Sequence, residues 1–108
     1  LFIITSNYER NARTFVEAKQ LTQYFDDVCH VRSAVKAKGL SKLAKKYHLD
    51  VRNTYYIAND PHDMEAANSV GMHAVAALWS GQDPKAMQAQ HPWAHANKPN
   101  DLLQIFNQ

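Results

Sequence analysis

Cysteine, glycine and long apolar runs are all scarce in this chain, and each scarcity removes a class of protein. Of 108 residues one is cysteine, three are glycine and four are proline. A lone thiol cannot build a disulfide framework, and Cys29, inside the apolar stretch "VCHV", reads as a packing residue. That predicts a reducing compartment, the cytoplasm. Three glycines cannot supply a GxGxxG turn or a Walker A loop together with ordinary turns, which removes dinucleotide and P-loop chemistry. No apolar run approaches the roughly 20 residues that span a bilayer, and no basic-then-apolar leader is present, so a soluble protein without a membrane partner is expected. Excess charge is also lacking: twelve Lys and Arg against ten Asp and Glu leave +2, too little to call for nucleic acid. The six histidines show no zinc-like pairing with cysteine and no HExxH helix.

What is present is alternation. Short apolar runs at 1 to 5 ("LFIIT"), 28 to 31 ("VCHV"), 54 to 58 ("TYYIA") and 73 to 78 ("HAVAAL") read as strands buried on both faces. Helical patterns lie between them. Leu40, Leu43, Ala44 and Tyr47 share one face of "LSKLAKKYHL" while Lys42, Lys45 and Lys46 point elsewhere. A helix is predicted over 10 to 25 with Ala12, Phe15 and Val16 inward. Another is predicted over 61 to 70, ended by Gly71, and a last one over about 100 to 107, capped near Asn100. Strands alternating with helices predict a parallel sheet covered on both faces, within one domain or part of one spanning residues 1 to 108. Because the chain opens with Leu1 inside an apolar run rather than with methionine, further sequence upstream is expected.

In parallel sheets ligands bind beyond the carboxyl ends of the strands, which directs attention to Thr5, Ser6 and Asn7, to Asn59 through Asp63, and to Leu78, Trp79, Ser80 and Gly81. "SNYE" at 6 to 9 fits a capping box between Ser6 and Glu9, and equally a hydroxyl and helix amides poised for phosphate. Lys36, in "SAVKAKG", is read as a loop lysine just before the lysine-bearing helix. In "YYIANDPHD" Asp60 can cap a helix starting at Pro61 with Asp63 in its first turn. Asn59, Asp60 and Asp63 also offer hard oxygens of the kind Mg²⁺ takes together with water and substrate phosphate. Both readings of each segment stand.

Taken in order, "LFIITSN", "SAVKAKGLSKLAKKYHLD", "TYYIANDPHDMEAANSVGMHAVAALWSG" and "KPNDLLQIF" resemble the second half of the haloacid dehalogenase superfamily, in its phosphoglycolate phosphatase-like group. The resemblance implies an α/β, Rossmann-like core of three layers around a parallel sheet. It implies Mg²⁺-dependent hydrolysis of a small phosphorylated metabolite through an aspartyl-phosphate. Matched residue by residue, Ser6 and Asn7 would bind the phosphoryl group and Lys36 would balance its charge. Asn59, Asp60 and Asp63 would hold the metal.

Two departures qualify the match. No DxDxT segment occurs, so the nucleophile and general acid are expected upstream, on a central strand lying between those at 1 to 5 and 54 to 58, with the cap also outside these residues. Without that strand the sheet should carry a gap, and these residues alone should not turn over substrate. The family's glycine and aspartate of the acidic loop are here Ala58 and Asn59, which removes a charge from the metal site. The alternative is therefore a non-catalytic module of the same fold with a degraded metal loop. A receiver-like domain ranks last, since "TSN" stands where its acidic pocket would be.

Overall fold

The computed structural model describes residues 1–6, 8–79 and 83–107. The chain divides into two compact units, Leu1–Gly39 and Leu40–Gln108. The fold is α/β, and every strand pairing is parallel.

In the first unit β1 (Phe2–Thr5) pairs with β2 (Asp27–His30), Phe2 opposite Asp27 and Thr5 opposite His30. The ladder runs one residue further, the Val31 N–H donating to the Thr5 carbonyl at 2.9 Å. Helix α1 (Glu9–Ala18) forms the crossover and buries Val16. Arg13, on its outer side, donates to Asp27 Oδ1 at 2.8 Å and to the Val28 carbonyl at 3.1 Å, tying α1 to β2.

The helix expected over 10 to 25 is thus shorter, and its stop has a physical cause. Gln20 takes a left-handed conformation at φ 58. From there the Gln20 and Leu21 amides turn back onto the carbonyls of Glu17 and Val16, which satisfies the last turn. A 3₁₀ turn over Thr22–Tyr24 then leads to β2. Phe15 is 59% exposed rather than inward, because only Val16 is fully covered on this two-strand platform.

The proposed capping box is not formed. Helix α1 starts at Glu9 with Tyr8 in the cap position and no side-chain cap bond. Ser6 therefore lies two residues too early, and Glu9 occupies the first turn, where its charge suits the helix dipole.

A 3₁₀ turn at Ser33–Val35 continues directly into α2 (Lys36–Lys46), which buries Leu40 and Ala44 and leaves Lys42, Lys45 and Lys46 exposed as the periodicity requires. The boundary between the units falls inside this helix. It closes with His48 left-handed at φ 55 and the Leu49 amide donating to Ala44 O at 2.8 Å.

The second unit holds β3 (Tyr55–Ala58), β4 (His73–Ala77) and β5 (Ala94–Ala96) in that order, with Ala58 opposite Ala76 and Ala77 opposite Ala96. Central β4 buries Ala74 through Ala77, as a strand covered on both faces should. Helix α3 (Pro61–Ser69) packs on β3 and β4 through Met64, Ala66 and Ala67. The short helix α4 (Pro84–Gln88) adds Met87. Met64 and Met87 are fully buried, worth about 1.5–3 kcal/mol each. The small alanines of β4 and α3 let helix and strand approach closely. Helix α5 (Asp101–Phe106) contacts β5. No helix among the described residues is long and apolar enough to cross a membrane.

Only β4 matches the expectation of a strand buried on both faces. Strand β3 alternates, Tyr55 and Ile57 each 40% exposed and Tyr56 and Ala58 half-buried, because within its sheet it is laddered on one side only, by β4. Strands β1 and β3, expected to flank a gap, belong to different sheets.

Candidate functional site

The carboxyl end of β3 gathers most of the polar chemistry of the second unit. Asp60 is the N-cap of α3, its Oδ1 accepting the His62 N–H at 2.8 Å, and Pro61 fills the first helical position where no donor is needed. Asp63 falls in the first turn, half-buried. The Tyr56 hydroxyl, from the half-buried side of β3, donates to the Asp63 carboxylate. Burial, then the negative charges of Asp63 and Asp60, drive the Tyr56 phenol well above its ordinary pKa, so it stays a donor. Asn59, exposed, precedes Asp60. The capping reading of "NDPHD" is therefore correct, and it leaves the second carboxyl oxygen of Asp60 outside the cap bond.

Among the described residues no group of three or more His, Cys, Asp or Glu gathers as a metal cage. The donors at this strand end are two carboxylates and one amide. That set suits Mg²⁺, which keeps several waters and uses one or two protein carboxylates, and it does not suit zinc. Tyr56 was not singled out by the sequence. Its signal is the β-alternation, which puts residue 56 on the inner side of the strand that ends in the acidic loop.

The carboxyl ends of β1 and β2 form a second polar region, within the first unit. Ser6 follows Thr5 in a bend and is exposed. The His30 ring approaches the Ser6 carbonyl with Nε2 at 3.3 Å, and since a carbonyl only accepts, Nε2 carries the proton in that contact. A cleft of about 500 Å³ opens there, lined among the described residues by Ser6, Tyr8, His30, Arg32, Ser33 and Ala34. Lys36 is not in a loop. It is the first residue of α2, half-buried, because nothing between Ser33 and Lys38 breaks a helix and the 3₁₀ turn runs straight on. Asn7, Ser80 and Gly81 lie outside the described residues. Ser6 and Lys36 belong to the first unit and Asn59, Asp60 and Asp63 to the second. Cys29 is half-buried, its thiol 3.9 Å from Asp27 Oδ2.

Residues 1–77 match the family model of the haloacid dehalogenase-like hydrolases. The chain belongs to that family. It is 30% identical over 109 residues to the phosphoglycolate phosphatase of Synechococcus elongatus, a match covering all of this chain and 51% of that protein. The chain thus spans about half the length of the curated relative it matches. Its fold superposes on a haloacid dehalogenase-like hydrolase of Streptococcus pneumoniae with a TM-score of 0.85 at 19% identity, over 98% of this chain and 51% of that one. A predicted phosphatase of Clostridium acetobutylicum gives 0.87 at 13%, over 99% and 51%. These likenesses cover both units of the haloacid dehalogenase-like chain.

Proposed function

We propose that this chain is the carboxyl-terminal core part of a cytoplasmic, Mg²⁺-dependent phosphomonoester hydrolase. It acts on a small phosphorylated metabolite, with phosphoglycolate the first candidate because of the Synechococcus relative. The nucleophile, an aspartate that becomes aspartyl-phosphate, lies upstream of Leu1 in this reading, on the strand that completes the sheet.

The observation that carries the proposal is the carboxyl end of β3, where Asp60 and Asp63 are held by a helix cap and by Tyr56. Asn59, Asp60 and Asp63 would hold Mg²⁺, which when bound neutralises charge on phosphoryl oxygens. Ser6 and Asn7 would hydrogen-bond the phosphoryl group, and the Lys36 ammonium would balance the charge of that group and of the nucleophile.

The test is phosphate release by the intact protein containing this chain, with p-nitrophenyl phosphate and phosphoglycolate in Mg²⁺. Turnover that disappears with chelator and in Lys36→Ala supports the proposal. Turnover unchanged in Lys36→Ala removes the assigned lysine.

Asn59 favours one rival, a binding module of the same fold whose metal loop has lost its charge. Its sign would be an intact, folded protein that releases no phosphate at any Mg²⁺ concentration and lacks a paired-aspartate segment upstream.

A further inference from the structure

The cleft at the ends of β1 and β2 has a charge character that a phosphoryl contact alone does not use. Among the described residues its lining contains Arg32, His30, Ser33 and Ser6 and no carboxylate, whereas the smaller cleft of the same unit includes Glu17, Asp26 and Asp27 beside Arg13. Arg32 is exposed and has no ion pair or side-chain hydrogen bond among the described residues. A guanidinium is a rigid fork of donors matched to a carboxylate. Ser33 adds a hydroxyl, which can donate to the same ligand. A cleft of about 500 Å³ is of the size that small metabolites occupy.

We infer that Arg32, with Ser33, binds the second anionic group of the substrate, a carboxylate, while Ser6 in the same cleft faces the phosphoryl end. These are specificity residues, not catalytic ones, and the inference rests on the hydrolase reading above. It selects phosphomonoesters of small carboxylic acids over esters of neutral alcohols or phenols. Substrate discrimination is thereby built partly into the core, in the segment following β2.

The experiment compares phosphoglycolate with p-nitrophenyl phosphate, which has no second anion, in the intact protein and its Arg32→Ala, Arg32→Lys and Ser33→Ala variants. The expected result is a fall in kcat/KM for phosphoglycolate of about 10- to 100-fold in Arg32→Ala, expressed mainly in KM, the range of a lost charge-assisted pair. Constants for p-nitrophenyl phosphate should be unchanged, and Arg32→Lys should fall between, keeping charge without the fork.

Equal losses for both substrates, or none for either, would overturn the inference. If the wild-type protein hydrolyses neither compound, the hydrolase reading has failed separately, and calorimetric binding decides the cleft. Arg32-dependent binding of phosphoglycolate but not of p-nitrophenyl phosphate then supports it, and equal binding of the two overturns it. Arg32-dependent binding of inorganic phosphate with an unaltered KM for phosphoglycolate would likewise overturn it, assigning the cleft to a free anion.

Discussion

Gly39, in the first half of α2, stands so close to Val31 that a methyl group built on its Cα would overlap Val31 Cγ1. A helix-interior glycine ordinarily costs up to about 1 kcal/mol relative to alanine. Here the absence of a side chain is what lets the helix rest against the residue that ends the β1–β2 ladder.

Gly39→Ala is accordingly expected to destabilise the intact protein by about 1–3 kcal/mol, overpacking outweighing the propensity gain. Urea denaturation would measure it. Val31→Ala in the same chain should recover part of the loss, and a stabilised single variant would contradict the contact.

Gln20 and His48 each adopt the left-handed conformation that closes a helix, at φ 58 and 55, while Gly71 does the same for α3 at φ 85. An L side chain is strained there and glycine is not. Gln20→Gly and His48→Gly should each raise stability by about 0.5–1 kcal/mol, after allowing for the looser unfolded chain. Gly71→Ala should lower it. The same denaturation curves check all three, and a loss in both glycine variants would refute the assignment.

Tyr56 predicts a pH effect with a definite sign. Its folded pKa is raised, first by burial and then by Asp63 and Asp60, so the folded state holds the phenolic proton more tightly than the unfolded one. The resulting stability is fully present below about pH 10, the ordinary tyrosine value, and is lost as pH rises through the folded value. Tyr56→Phe should flatten the fall in stability above that pH. Superimposable wild-type and Tyr56→Phe profiles would show that the hydroxyl is not held as described.

Asn59→Asp restores a charge to the acidic loop. Under the proposed function the Mg²⁺ concentration for half-maximal phosphate release should drop about tenfold, since ligand charge count tunes such sites. An unchanged requirement would mean that Asp60 already carries the role.

Much of this was readable from residues alone, for identifiable reasons. "NDPHD" announced its helix because Asp60 and Pro61 are local signals that need no tertiary partner, and Gly71 marked the end for the same reason. Asp83 and Pro84 repeat the signal at the start of α4, where the Asp83 side chain accepts the Lys85 N–H at 3.0 Å, yet that helix was not expected. Strand β5 was invisible because "AHA" has neither length nor β-branched residues. It is a strand only through its pairing with β4. The early stop of α1 was hidden because glutamine carries no sequence mark of a left-handed turn. At the site, the strand ends and their donors were legible. The contact from Tyr56 to Asp63 and the cleft around Arg32 depend on which side chains a fold brings together, which no linear spacing states.

The cap at Asp60 also bears on the thermodynamics of any cation that binds there. The bond that starts α3 fixes the backbone of the acidic loop, so its ordering entropy is lost when the helix folds and not when an ion arrives. A ligand then meets donors that are already arranged. Amide exchange in the first turn of α3 should respond little to Mg²⁺, even where catalysis depends on it completely.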